Sequence, residues 1–257
     1  MRARTISCGI IGVGHLIQHV LPALVKADAG FLLSARNREI AADLSRRFGL
    51  EIVDSNQAIV DRSELVILAV RPFHAIEAMQ PLALRSDQIV LSFCAGVSAT
   101  ALRSVIAPAR LVMAMPVVAA AFGESPTLLF PDDATCRALL EPCGPVIALA
   151  ADAQFAPGSV IACYFGWLHE LIAQMIAWTE SQGLDPAAAR LLVAQMTRAA
   201  ATIIRERTDA SPAQLVSELA TPRSFTLSGI EDLRREHAFE AWPDAASRLA
   251  ERFKGRH

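Results

Sequence analysis

An α/β chain with a doubly wound, mainly parallel sheet, followed by an all-helical C-terminal domain, is the architecture this 257-residue sequence predicts. Three observations carry it. The apolar run Thr5–Ile11 ends in a glycine turn, Gly12-Val13-Gly14, that opens an apolar helix running towards Lys26. Apolar runs of strand length then alternate with helical segments as far as Leu149. From Ala151–Pro157 onward the alternation stops, and apolar residues recur at helical spacing. The change predicts a first domain over 1–152 and a second over 153–257.

Strand, glycine turn and helix form the opening of a dinucleotide-binding, Rossmann-type unit. Gly12 allows the tight turn, and Gly14 lets the backbone approach a pyrophosphate lying on the free N–H groups of the helix start, at His15 and Leu16. The third small residue of the fingerprint falls at Ile17, so the helix is expected to stand further from its strand. Phe31–Ser34 is the second strand, and its end is where a ribose is read. An acid there would select NAD. The sequence offers Ser34, Arg36 and Asn37, with Arg38 following, which suits the 2′-phosphate of NADP.

A helix from Glu39 to Phe48 stops at Gly49, and Leu50–Val53 is a short third strand, with Asp54 or Ser55 capping the helix beyond it. Glu64–Val70 is apolar almost throughout, as a strand covered on both faces must be, and Arg71-Pro72 breaks it. Ala69, Val70, Arg71 and Pro72 at its carboxyl end, and Ala95 and Gly96 after the strand Gln88–Ser92, are expected beside the cofactor. His15 and His74 are further candidates for phosphate contact. Arg110–Met115, Thr127–Phe130 and Val146–Leu149 complete seven or eight strands, with antiparallel additions expected late and a helix from Asp133 to about Glu141.

Long helices follow from Ser159 to near Gly183 and from Pro186 to Arg207, the second with Leu191, Leu192, Met196 and Ile203 as buried candidates. Shorter helices are expected at 211–219, 226–235 and 238–253. The first long helix is apolar nearly all round, more than a small bundle can cover. A homodimer through the C-terminal helices is the expected arrangement.

Composition narrows the function. Hydrophobic residues make up 53% and charged residues 19%, as in a folded globular protein, and the formal net charge is −2. No basic stretch argues for nucleic acid or a membrane surface, and the apolar run before Gly12 is too short for a signal or span; a cytoplasmic protein is expected. Five scattered cysteines (Cys8, Cys94, Cys136, Cys143, Cys163) lack ligand spacing, so they read as reduced core residues and no metal is expected.

Gly9-Ile-Ile-Gly12-Val-Gly14, Ser34-Ala-Arg36, Leu68-Ala-Val-Arg-Pro72, Ser92-Phe-Cys-Ala-Gly96 and Met115-Pro116 resemble the successive motifs of pyrroline-5-carboxylate reductases. The resemblance implies reduction of a cyclic imine with NADPH or NADH, and a dimer formed through the helical domain, whose first long helix keeps Tyr164 and Glu170. Departures fall where that family holds its substrate. Its Met-Pro-Asn-Thr-Pro becomes Met115-Pro116-Val117-Val118-Ala119, its Ser-Gly-Ser-Gly-Pro becomes Gly158–Ala162, and its Pro-Gly-Gly-Thr-Thr loop becomes Pro222-Arg223-Ser224-Phe225-Thr226. Replacing two glycines removes freedom at positions suited to positive φ. Met115, Pro116, Val117, Arg223, Ser224 and Thr226 are the substrate-binding candidates; Thr226, Ser224 and Tyr164 are the catalytic ones. Val117, Val118, Val160, Ile161 and Phe225 suggest a larger apolar pocket suited to a bulkier imine or carbonyl.

Lysine occurs at Lys26 and Lys254, neither on the first long helix, which argues against a hydroxyacid dehydrogenase with a lysine there. An iminium already carries its proton, so its reduction tolerates the lack of a strong side-chain acid. His169 and Glu170, adjacent on a helix, point different ways and read as structural. The alternatives are a catalytically silent, NADP-binding dimeric regulatory protein and a reductase of an unrelated carbonyl.

Overall fold

The computed structural model describes residues 5–254. The chain divides into two compact units: residues 1–162 with 252–257, and residues 163–251. The N-terminal residues Met1 to Arg4, which precede the apolar run too short for a signal or span, lie outside the described residues.

The first unit holds an eight-stranded sheet. Its strands are β1 (Ile6–Ile11), β2 (Ala29–Ser34), β3 (Glu51–Val53), β4 (Leu65–Leu68), β5 (Ile89–Ser92), β6 (Arg110–Met115), β7 (Thr127–Phe130) and β8 (Val146–Ala148), in the order β3-β2-β1-β4-β5-β6-β7-β8. All neighbours pair parallel except β6 and β7. The exception has a local cause. Between Met115 and Thr127 the chain makes one 3₁₀ segment, Val118–Phe122, and no α-helix, so the crossover a parallel pair needs is missing. The strand order reverses beside β1, and the crevice there is where a doubly wound sheet receives its ligand.

Six α-helices lie within this unit: α1 (His15–Leu24), α2 (Arg38–Phe48), α3 (Asn56–Asp61), α4 (Ala75–Met79), α5 (Ala99–Ile106) and α6 (Ala134–Leu140). Side-chain caps start four of them: Asn37 for α2, Ser55 for α3, Ser98 for α5 and Asp133 for α6 each accept a backbone N–H one turn on. Gly49 ends α2 in the left-handed conformation at φ +68. Two buried apolar clusters cover the two faces of the sheet, one built on α1 and α2, the other on α3, α4 and α5. Ile17 is fully buried in the first of them. A close helix-to-strand approach lies elsewhere. A Cβ on Gly9 would stand 2.3 Å from Ile59 of α3, so glycine there lets α3 lie directly on β1.

The helical region comprises α7 (Phe155–Ser181), α8 (Pro186–Glu206), α9 (Pro212–Leu219), α10 (Phe225–Arg235) and α11 (Ala241–Lys254). α7 starts earlier than the expected Ser159. Pro157 sits in its first turn, where no N–H partner is needed, and Gly158 lets the helix pass Leu128 of β7, whose Cδ1 is 2.3 Å from where a Cβ would stand.

In the second unit Thr179, Ala189 and Leu215 are the buried residues among those described. Leu191, Leu192, Met196 and Ile203, the buried candidates of α8, are all exposed on the single chain, as are Leu171, Met175 and Trp178. Their apolar faces have too few neighbouring helices in this unit to cover them. A window of α7 has the length and mean hydropathy, 1.4, of a membrane-crossing helix, with a small share of it buried. The same helix carries His169, Glu170, Gln174 and Thr179. His169 hydrogen-bonds through Nδ1 with the Phe165 carbonyl at 2.7 Å, and Glu170 accepts from Gln174 at 2.8 Å, so both have structural partners.

Candidate active site

The parallel strands end at the turns that build the main cleft of the first unit. The turn after β1 supplies Gly12 and Gly14. Gly12 has φ +100, and a Cβ there would meet the Ala69 carbonyl carbon and the Val70 nitrogen, each at 2.7 Å. Glycine is therefore required twice, for the dihedral and for the approach of the chain leaving β4. Gly14 is different. A Cβ on it would meet no protein atom within 4 Å, so the space above it is open to a ligand.

The cleft has a volume of about 1070 Å³. It collects Gly12, Gly14, His15 and Leu16 from the turn and α1, and Arg36 and Asn37 from the end of β2. Ala69, Val70, Arg71 and Pro72 enter from the end of β4, and Ala95 from the loop after β5. Arg38 and His74, the further possibilities, line it too. Sequence reasoning had not placed Val13, Ile40, Phe93 and Cys94 in the cleft; their signal is their position next to the turn residues. The cleft's described lining includes Arg36, Arg38, Arg71, His15 and His74 and no carboxylate. Glu77 pairs with His74 at 3.1 Å, and the ring of His15 meets that of His19 edge-on, with centroids 4.8 Å apart.

Two cofactor candidates stand elsewhere. Ser34 is 3% exposed, and its hydroxyl oxygen accepts the Gly12 N–H at 3.1 Å. It braces the glycine turn from the end of β2, and Arg36 and Asn37 beyond it line the cleft. The reason lies in the pleat, which turns the last residue of β2 inward while Arg36 and Asn37 continue outward. Gly96, one residue beyond Ala95, lines a second cavity of the same unit. Asn37 faces the cleft and also caps α2 by accepting from Ile40 N at 3.4 Å.

Among the substrate candidates, Met115 and Pro116 are buried at the end of β6, and the Val117 N–H donates to Ser125 Oγ at 2.9 Å. In the second unit Arg223 has φ +68. The left-handed conformation persists at the first altered position of the loop despite the loss of glycine. Ser224, at φ −78, does not need it; its hydroxyl caps α10 by accepting from Leu227 N at 3.1 Å. Thr226 is exposed in the first turn of α10, and Phe225 is 98% exposed. Tyr164 of α7 packs edge-on against Trp242 of α11, with centroids 5.8 Å apart, an aromatic contact within the second unit. Of the residues expected to line an apolar pocket, Val160 is buried and Ile161 is 61% exposed, because neighbouring helical residues point different ways.

Burial keeps the thiols of the first unit protonated. Cys8 is pushed up to about 12 by burial and then by the charge of Glu64, Cys143 to about 12 and Cys94 to about 11, both by burial. Cys94, although at the cleft, is therefore no nucleophile at neutral pH.

Residues 7–96 match the family model described as NADP oxidoreductase, coenzyme F420-dependent. Residues 155–255 match the model for pyrroline-5-carboxylate reductase dimerisation. The chain is 24% identical to a pyrroline-5-carboxylate reductase of Methanosarcina acetivorans, over 96% of each protein. Its fold resembles the pyrroline-5-carboxylate reductase of Streptococcus pyogenes, with a TM-score of 0.86 and 21% identity over 98% of this chain and 99% of that one. The Plasmodium falciparum pyrroline carboxylate reductase, solved with NADP bound, gives a TM-score of 0.83 at 17% identity, covering 98% of both chains.

Proposed function

We propose, from its similarity to pyrroline-5-carboxylate reductases in both halves of the chain, that this protein is an NADPH-dependent reductase of a cyclic imine, with pyrroline-5-carboxylate as the reference substrate. The observation that carries the reading is the cleft. Among its described residues three arginines and two histidines face a glycine turn at a helix start, with no carboxylate. That charge pattern suits a dinucleotide with an additional phosphate and, among the described lining residues, provides no carboxylate to a bare 2′-hydroxyl.

The free N–H groups at the start of α1 receive the pyrophosphate across Gly14, with His15 and Leu16 beside it. Arg36 and Arg38 take the 2′-phosphate, and Asn37 fixes α2 beneath them. Ala69, Val70, Arg71, Pro72 and Ala95 form the wall along the strand ends. When bound, NADPH supplies the hydride. Ser34 and Gly12 set the turn that positions it.

The remaining chemistry asks little of the chain. An iminium brings its own proton, and reduction then needs a site that orients the C=N carbon and excludes water. Met115, Pro116 and Val117 form the substrate edge on the first unit. Arg223, Ser224 and Thr226 serve the carboxylate, Arg223 by charge and the hydroxyls by hydrogen bonds. Tyr164 is held by Trp242 and acts in packing before any proton transfer. The exposed apolar faces of α7, α8 and α9 pair with those of a second copy, giving a homodimer. Five unpaired cysteines suit the reducing conditions of the cytoplasm.

Purified protein mixed with NADPH and pyrroline-5-carboxylate should oxidise the nucleotide and form proline in equal amounts. The strained Arg223 and the capping role of Ser224 favour one other reading, a dimer that binds NADP without turnover. Tight NADPH binding with no oxidation by any cyclic imine or ketone would establish that alternative. Oxidation by a ketone but by no imine would point to a carbonyl reductase.

A further inference from the structure

The first unit has a second cavity, of about 330 Å³, that begins where the dinucleotide cleft ends. Ala95 lines the cleft and the next residue, Gly96, lines the cavity. The two spaces are thus lined by consecutive residues of the loop after β5, at the carboxyl ends of the strands where a doubly wound sheet receives its ligand. A group placed in this cavity is next to the cofactor and outside its phosphate-binding half.

The walls mix apolar side chains with the hydroxyls of Ser98, Thr100 and Ser159. Met113 of β6 and Phe155 at the start of α7 are both buried, and Phe253, near the end of α11, closes the side. The last residues of α11 belong to the first unit, so the end of the chain folds back on the loop after β5. The approach is tight. Gly96 has φ +73, and a Cβ there would stand 3.1 and 3.2 Å from two ring carbons of Phe253. Glycine at this point admits the ring, and the ring narrows the cavity.

Charge decides which part of a substrate enters. Among the described lining residues Asp152 alone is ionised, and it is matched by Arg103 at 3.5 Å. A carboxylate would meet no cation there and would face the Asp152 charge. A hydrocarbon group would lose water against two aromatic rings and a methionine.

We propose that this cavity takes the hydrocarbon substituent of the imine and that Phe253 sets the largest substituent it admits. The inference rests on the reductase reading above. It makes Phe253 a specificity-determining residue, and it extends the substrate class to cyclic imines carrying an apolar group on the C=N carbon.

The test compares 2-methyl-1-pyrroline with 2-phenyl-1-pyrroline as substrates of the full chain and of its Phe253→Ala and Phe253→Trp variants. The ratio of kcat/KM for phenyl over methyl should rise about tenfold in Phe253→Ala and fall about tenfold in Phe253→Trp, each corresponding to about 1.4 kcal/mol. NADPH affinity should stay within about twofold in both, since the ring lies outside the cleft that holds the phosphates. Unchanged ratios in two folded variants overturn the inference and leave the reductase reading standing. Binding of the amine 2-phenylpyrrolidine, followed by calorimetry, gives a readout free of turnover. Binding that weakens in Phe253→Trp supports the cavity even if no imine is reduced, an outcome that would sink the reductase reading alone. Amine binding indifferent to Phe253, or no amine binding, counts against the cavity.

Discussion

Gly12 and Gly14 stand two residues apart in the same turn, yet the structure assigns them different failures. In Gly12→Ala the new Cβ meets backbone atoms of Ala69 and Val70 at 2.7 Å, and the residue must hold φ +100. Left-handed backbone costs an ordinary residue about 1–3 kcal/mol. The clash adds to this, because backbone at the end of a central strand cannot swing aside as a side chain would; overpacking of this kind costs about 1–3 kcal/mol more. Gly12→Ala is therefore expected to lose about 2–6 kcal/mol, enough to consume much of the stability of an ordinary domain. Gly14→Ala meets no protein atom within 4 Å, and its φ of −132 suits alanine. Its stability should change by less than about 1 kcal/mol, the scale of an alanine at a helix N-cap. Its NADPH affinity should fall at least about tenfold, because the methyl stands where the pyrophosphate must approach. Urea denaturation and nucleotide titration of both variants make the comparison. Equal destabilisation of the two, or full NADPH affinity in Gly14→Ala, would refute the reasoning.

Ser34→Ala removes the acceptor of the Gly12 N–H, so NADPH and NADH affinities should fall together by a similar factor; loss of NADPH binding alone would restore a direct phosphate contact. Arg36→Glu should reverse the preference, weakening NADPH far more than NADH in paired titrations. Arg223→Gly relieves a left-handed residue and is expected to raise stability by up to about 1 kcal/mol, read as a higher urea midpoint. The raised thiols of Cys8, Cys94 and Cys143 set an alkaline limit: above their ordinary value of 9.0 the unfolded chain releases protons that the folded chain retains. Stability should be full below about pH 9 and fall as pH rises towards about 11, by as much as about 1.4 kcal/mol per unit for each thiol. A urea midpoint that is flat across this range would contradict the burial of these groups.

The sheet was legible because its strands are covered on both faces and read as continuous apolar runs between turn signals. Arg110–Met115 and Thr127–Phe130 fall where the runs begin and end. The cleft was legible for a related reason: a parallel sheet puts its ligand at the strand ends, and the residues following each strand were already in view. What depended on partners far along the chain was not. Nothing local to Ser34 tells whether its hydroxyl faces a phosphate or the N–H of Gly12, twenty-two residues away. The start of α7 was hidden behind Pro157 and Gly158, which read as breakers until one is seen in a first turn and the other against Leu128. The side chains of α8 show a stripe that must be covered, but a stripe does not say whether its cover comes from the same chain. Phe253 gave no signal of its return to the loop after β5, because that contact is made across most of the sequence.

The central claim, hydride transfer from NADPH to a C=N carbon, is tested most directly with NADPH deuterated at the transferring position and pyrroline-5-carboxylate as acceptor. The account predicts proline carrying one deuterium on the former imine carbon, formed in proportion to the nucleotide oxidised. Proline without deuterium, or nucleotide bound tightly with no product from any cyclic imine, would contradict it.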